Sequence, residues 1–295
     1  MYDVIIIGMG IAGITAGIYA KRAGHSVLMF EKNVPGGMLM QIDKIKNYPG
    51  FEEISGSDLA MNLFNQVRKL GIEFKMEEVT SVKLDTCEKC VVTKNGTYTA
   101  KNVILATGRT PKFIGLDNEK DYLGKGLSTC ATCDGALYKD QDVIVVGGGN
   151  SALQESLYLA GICKTVYIIH RDLTFKAEEK LVNSINEKTN IKVIHGANIT
   201  KINETEGKIS SVDLDNGSNI EAKGVFIYIG FKPDTALVKD YDLTNLNGDI
   251  LVNDERKTSI DNVYAVGDCI KKGVYQLVTA ASDGAVAIND MDKIK

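Results

Sequence analysis

Apolar positions fall in two rhythms along this chain, and the places where one gives way to the other mark its architecture. Residues 3–31 open on an unbroken β-branched run, Val4-Ile5-Ile6-Ile7, turn on glycines, continue with helical spacing and close on a second apolar run that ends at Glu31. A run without polar alternation predicts a strand covered on both faces, which is the habit of parallel sheets. Residues 142–170 repeat the pattern over the same 29 positions, from Val143-Ile144-Val145-Val146 to His170. Each stretch therefore predicts a βαβ unit. Two more strands are predicted at 102–105 and 263–266, running into turns of small residues, Ala106-Thr107-Gly108 and Gly267-Asp268. One precedes the second unit and the other follows it, so that unit reads as an insertion into a domain that resumes late in the chain.

The glycines of the two units say what they hold. Gly8, Gly10 and Gly13 spell G-x-G-x-x-G, and Gly147, Gly149 and Ala152 spell G-x-G-x-x-A. Between a strand and a helix, such residues permit a tight turn and let backbone N–H groups and the helix N-terminus meet a pyrophosphate. The expected fold class is α/β, with two Rossmann-like (three-layer ββα) nucleotide-binding domains, the second inserted into the first. Residues 1–112 and 243–295 make the split domain, and 113–242 the inserted one.

The residue closing each second strand faces the adenosine ribose. Glu31, 23 positions after Gly8, accepts hydrogen bonds from ribose hydroxyls but repels a 2′-phosphate, which fits FAD or NAD. The same offset from Gly147 lands on His170, followed by Arg171, with Lys176 nearby. Basic groups there favour a 2′-phosphate, hence NADPH, although a solvated loop edge is the plainer reading. Gly108 and Gly267 allow close backbone approach to a cofactor, and Asp268 is suited to bond a ribityl hydroxyl.

Composition narrows this further. The chain has 295 residues, 44% of them hydrophobic, which is enough for two cores. A net charge of −4 from 34 basic and 38 acidic residues selects neither nucleic acid nor a membrane surface. The longest uncharged stretch, the 17 residues Val4 to Ala20, contains four glycines and runs on into Lys21-Arg22, so it reads as neither a membrane span nor a signal sequence. A soluble, cytoplasmic protein is expected.

Six cysteines in such a protein point to redox or metal chemistry rather than a disulfide scaffold. Cys130-Ala131-Thr132-Cys133 is followed by Asp134-Gly135, and this C-x-x-C reads as a cycling dithiol with Asp134 as a general acid. Cys87-Glu88-Lys89-Cys90 competes. The two pairs lie 39 residues apart, against roughly 15–20 in typical four-thiolate zinc sites. Its flanks alternate like a hairpin, which favours an exposed turn over a second redox pair, and no metal is expected. Cys163 and Cys269 read as packing residues.

Taken together, these motifs resemble the low-molecular-weight bacterial thioredoxin reductases over nearly the whole chain. The likeness rests on the Gly8–Gly13 loop, Gly36-Gly37 followed by Asn47-Tyr48-Pro49-Gly50-Phe51, Ala106-Thr107-Gly108, Cys130 to Gly135, Gly147 to Ala152, and Gly267-Asp268. The resemblance implies a homodimer that moves electrons from NADPH through FAD to Cys130/Cys133 and on to thioredoxin or a similar dithiol protein. It implies that Cys133 faces the flavin, that Cys130 attacks the partner's disulfide, and that the nucleotide domain rotates about hinges near 112–116 and 240–246. It adds Gly37, Met38, Asn47, Gln276 and Leu277 to the FAD contacts and Ser151 to the second loop. The family usually has Pro at Ile11, Gln at Met38 and Arg at Tyr275. Its His-Arg-Arg-x-x-x-Arg motif reads His170-Arg171-Asp172-Leu173-Thr174-Phe175-Lys176 here, with an acid where a phosphate would lie and a lysine in place of a forked arginine. NADH and reduced ferredoxin therefore stand beside NADPH as donors.

Overall fold

In the computed structural model, which describes residues 1–293, the run after Met1 forms β1 (Tyr2–Ile7). It is followed by α1 (Ile11–Arg22) and β2 (Val27–Phe30), which completes the first βαβ unit. The stretch Val4–Ala20 is thus divided between a strand and a helix, and no helix among the described residues is long and apolar enough to cross a membrane. Next come α2 (Gly56–Lys69), β3 (Glu73–Lys75), β4 (Val79–Lys83), β5 (Lys89–Thr93), β6 (Gly96–Leu105) and β7 (Arg109–Pro111). The following stretch carries β8 (Leu127–Ser128), α3 (Ala131–Asp134), β9 (Asp142–Val146), α4 (Asn150–Ala160), β10 (Thr165–His170), α5 (Glu179–Asn186) and β11 (Ile191–His195). Three antiparallel strands, β12 (Ile199–Thr205), β13 (Lys208–Leu214) and β14 (Asn219–Glu221), precede β15 (Gly224–Ile227) and β16 (Phe231–Pro233). The chain ends in β17 (Val263–Ala265) and α6 (Leu277–Lys293).

These elements pack as two units, one of residues 1–110 with 232–295 and one of residues 111–231. In unit 1 the sheet runs β3-β2-β1-β6-β5-β4, with β17 parallel to the second half of β6. Both faces are covered, so Val4, Ile5 and Ile6 are fully buried, as an unbroken apolar strand requires. Residues 232–242, which the sequence reading assigns to the inserted domain, are held in unit 1. The Asp234 amide donates to Gly108 O at 3.0 Å, Lys32 Nζ to Asp234 at 2.8 Å, and the Leu84 amide to Tyr241 Oη at 3.0 Å. In unit 2 the sheet is wholly parallel, β11-β10-β9-β15-β8, with Val143, Ile144 and Val145 fully buried at its centre.

α1 buries most of its circumference, from Ile11 and Ala12 to Ala16, Gly17 and Ala20, and leaves Tyr19 and Arg22 on an exposed stripe. Its small residues let α6 approach closely. A Cβ on Gly284 of α6 would strike the Ala12 carbonyl oxygen and come within 2.8 Å of the Ala16 nitrogen. Gly284→Val is therefore expected to force the helices apart and lower the unfolding free energy by about 3 kcal/mol, read from the urea midpoint at unchanged slope.

Candidate functional site

The first glycine loop is shaped by a backbone crossing. Gly8, at φ +106°, presses on the turn after β6, and a Cβ there would collide with the Ala106 carbonyl oxygen. Gly13 lies equally close to the Gly8 carbonyl, and Gly10 caps α1 without a side chain. An L side chain at Gly8 is excluded by both conformation and space. Glu31 is buried at the end of β2 and reaches back to this loop. One carboxylate oxygen accepts the Met9 N–H at 2.9 Å, and the other accepts the Asn33 N–H at 2.9 Å.

Around this loop the structure gathers residues that are far apart in sequence. Gly36 donates its amide to Met9 O at 2.8 Å, which brings Gly37 and the half-buried Met38 beside Gly10. Asn47 Nδ2 donates to Gln276 Oε1 at 3.0 Å, just ahead of Leu277 at the start of α6. Gly267, at φ +77°, abuts Ala12, and its amide donates to the buried Asp283 at 3.0 Å. Thr107 Oγ1 and Asp268 Oδ1 are buried and make no hydrogen bond, Asp268 Oδ1 being ion-paired with Lys272 Nζ at 3.5 Å. Buried polar atoms are seldom left so, and two of them beside a glycine cradle fit a ligand rich in hydroxyls.

Sequence reasoning missed the side chains that brace this site. Arg109 donates from Nε to Asp268 O at 3.0 Å and from Nη2 to the buried Asp249 at 2.8 Å, while its guanidinium lies 4.2 Å from the centre of the Tyr275 ring. Asp283 accepts from Arg256 Nε and Lys272 Nζ, each at 2.8 Å, besides the Gly267 amide. No spacing rule links these residues.

In unit 2 the second loop repeats the first. Gly147, at φ +142°, presses on the Tyr228 carbonyl as Gly8 does on Ala106; Gly149 caps α4, Ala152 is fully buried and Ser151 is exposed. The charges that follow β10 are arranged less simply. His170 is buried against Gly148, its Nε2 lies 3.1 Å from Thr174 O, and burial pushes its pKa below the ordinary value. Lys176 Nζ pairs with Asp172 at 2.8 Å and Arg171 lies 4.0 Å from the same carboxylate, both side chains largely exposed. Lys176 holds Asp172 below the usual carboxylate range, so Asp172 stays charged beside them.

Cys130 and Cys133 form a disulfide across α3, with Cα atoms 5.3 Å apart. Cys130 is buried and Cys133 exposed. The Cys133 amide donates to Cys130 Sγ at 3.2 Å. Ser128 is a further missed residue. Its hydroxyl accepts the Cys130 N–H at 3.0 Å and donates to Asp134 Oδ2 at 2.6 Å, tying the acid to the cysteine turn. Such a turn can open and close a disulfide with a carboxyl group at hand.

The other thiols behave differently. Cys87 is exposed in the turn between β4 and β5, and Cys90 pairs in register with Lys83. Among the described residues no group of three or more metal-binding side chains gathers. Burial pushes the Cys163 thiol up to about 11 and raises that of Cys269 as well.

A family model described as pyridine nucleotide-disulphide oxidoreductase matches residues 2–285. The thioredoxin reductase of Bacillus subtilis is 37% identical over 292 residues, covering 97% of this chain and 92% of its own length. That of Mycoplasma pneumoniae is 38% identical over 296 residues, covering 98% and 93%. The crystal structure of Lactococcus lactis thioredoxin reductase superimposes with a TM-score of 0.91 at 34% identity, covering 99% of this chain and 98% of that one.

The thiol environments can be checked by alkylation at pH 8 with the sites resolved by mass. Only thiolate reacts. Cys87 is expected to label at least 100-fold faster than Cys163 or Cys269, with the Cys163 rate climbing as pH rises toward 11.

Proposed function

This chain belongs to the pyridine nucleotide-disulphide oxidoreductases, and we propose that within that family it is a thioredoxin-disulfide reductase, passing electrons from NADPH through FAD and Cys130/Cys133 to thioredoxin. The Cys130–Cys133 disulfide carries the reading, since it shares unit 2 with a dinucleotide-type glycine loop. We assign FAD to unit 1. Its pyrophosphate would lie on Gly8, Gly10 and Gly13, its adenosine ribose by Glu31, and its remaining contacts along Gly37, Met38, Asn47, Gly108, Gly267, Asp268, Gln276 and Leu277. That Thr107 Oγ1 and Asp268 Oδ1 are buried without a hydrogen bond supports that fit. When bound, FAD supplies two-electron transfer between donor and disulfide.

The dithiol then works on the partner. The Cys130 thiolate attacks the partner's disulfide, forming one intermolecular S–S bond and expelling a partner thiolate, which Asp134 protonates. Cys133 then gives its proton to the Asp134 carboxylate, attacks Cys130 Sγ as the thiolate, re-forms the internal disulfide and expels the partner's second thiolate, which takes a proton from solvent. Ser128, bonded to Asp134 and to the Cys130 amide, keeps acid and thiol in register. Cys130 is buried, so it must be uncovered before it attacks. A cytoplasmic homodimer completes the assignment.

A specific observation favours NADH as a second reading. Asp172 occupies Lys176 and neighbours Arg171, and a 2′-phosphate would have to compete with that carboxylate. Gly147, Gly149, Ser151 and Ala152 serve either nucleotide, whereas His170, Arg171 and Lys176 matter to NADPH.

Anaerobic mixing with NADPH, NADH and reduced ferredoxin tests the donor. NADPH is expected to bleach the flavin fastest, and bleaching by ferredoxin alone would overturn the nicotinamide assignment. Asp172→Asn is expected to raise the NADPH-over-NADH preference in kcat/KM about tenfold, since it removes a carboxylate that opposes a 2′-phosphate and frees Lys176 to meet it. Cys133→Ser should trap thioredoxin as a mixed disulfide on Cys130, detected by mass, and capture of a different dithiol protein would replace thioredoxin as the acceptor.

A further inference from the structure

Tyr228 follows β15 directly and touches both chemical elements of unit 2. Its amide donates to Val146 O at 2.8 Å, and its carbonyl fills the space that a Cβ on Gly147 would need, so its backbone walls the second glycine loop. Its phenol oxygen accepts the Ala131 N–H at 2.6 Å, inside the turn that carries the two cysteines. Ala131 is fully buried, so water cannot replace that acceptor. Burial, with the Glu155 and Asp134 carboxylates adding to it, holds the phenol well above the usual tyrosine range. It therefore keeps its proton throughout the range in which thiols are titrated.

The internal repeat shows that the loop does not require this side chain. Gly8 presses on Ala106 after β6 as Gly147 presses on Tyr228 after β15, and in the first unit an alanine suffices. The phenol therefore answers to something other than the glycine loop, and the group it meets is the amide between Cys130 and Thr132.

We infer that Tyr228 is a positioning residue for the dithiol: by fixing the Ala131 amide, its hydroxyl sets how readily the Cys130–Cys133 disulfide opens. The inference rests on that pair being the redox pair of the proposed reaction. While the disulfide is closed it pins both ends of the turn, and an amide deprived of the phenol cannot swing to another acceptor. Once two electrons and two protons have opened the bond to a pair of thiols, the turn is free to relax. Loss of the hydroxyl thus penalises the disulfide more than the dithiol.

The test equilibrates the flavin-loaded chain and its Tyr228→Phe variant in dithiothreitol buffers of graded oxidation, quenches by alkylation, and quantifies the peptide bearing Cys130 and Cys133 by mass. Phenylalanine keeps the ring and the carbonyl that walls Gly147. The equilibrium is expected to move about tenfold toward the dithiol, which is about 30 mV for a two-electron couple. Ile185→Ala, a cavity at a buried position of α5, serves as the control and should lower Tm without moving it. Coincident curves for Tyr228→Phe and the parent, or an equal shift in Ile185→Ala, overturn the inference. A parent disulfide that does not exchange with the buffer overturns the proposed function itself, and the inference with it.

Discussion

Two backbone crossings organise this protein. At each, a glycine at the end of a central strand lies so close to a carbonyl of the neighbouring strand's exit that no Cβ fits between them, Gly8 against Ala106 and Gly147 against Tyr228. The contact brings the N-terminus of the following helix to the edge of the sheet, where unpaired N–H groups face outward. Once β1 and β9 each lie between parallel neighbours, a loop able to receive a pyrophosphate follows from the crossing. The surrounding side chains then adapt each cradle to its own ligand.

That adaptation differs between the units. In unit 1 the charges are largely buried and brace the loop from behind. Glu31 faces the loop, and Asp283, Arg109 and Tyr275 hold the Gly267-Asp268 turn through bonds of 2.8–3.0 Å and a ring contact. Buried charges of this kind each have a partner, because leaving one unpaired would cost several kcal/mol. In unit 2 the charges are exposed and already paired with one another. Asp172 engages Lys176 in bulk solvent, where such a pair contributes little to stability. The pair leaves the Lys176 ammonium already engaged by a carboxylate.

The cysteine turn shows how little of a redox centre lies in its cysteines. Ser128 connects the Cys130 amide to Asp134, and Tyr228 holds the Ala131 amide from the end of the neighbouring strand β15. Cys163 and Cys269, buried and with raised pKa values, contrast with this site as thiols kept in the protonated form. What separates a reactive pair from an inert thiol is the set of donors and acceptors around the sulfur.

Much of this was legible in the chain itself. The unbroken runs at Val4–Ile7 and Val143–Val146 determine buried parallel strands, because an all-apolar strand must be covered on both faces. The glycine spacings determine the turns, because conformation and contact at Gly8 and Gly147 exclude other residues. The C-x-x-C spacing allows the disulfide because three positions on a helical turn bring two sulfurs within reach. Only the tertiary structure decided the rest. Residues 232–242 belong to unit 1 through Asp234 and Tyr241, Asp172 takes up Lys176, His170 turns inward, Ser128 and Tyr228 bond the cysteine turn, and Arg109 and Asp283 bond the Gly267-Asp268 turn. The physical reason is common to all of them. Periodicity records which side of an element is buried, whereas a hydrogen bond or ion pair between residues as distant in sequence as Ala131 and Tyr228 exists only once separate strands have been brought side by side.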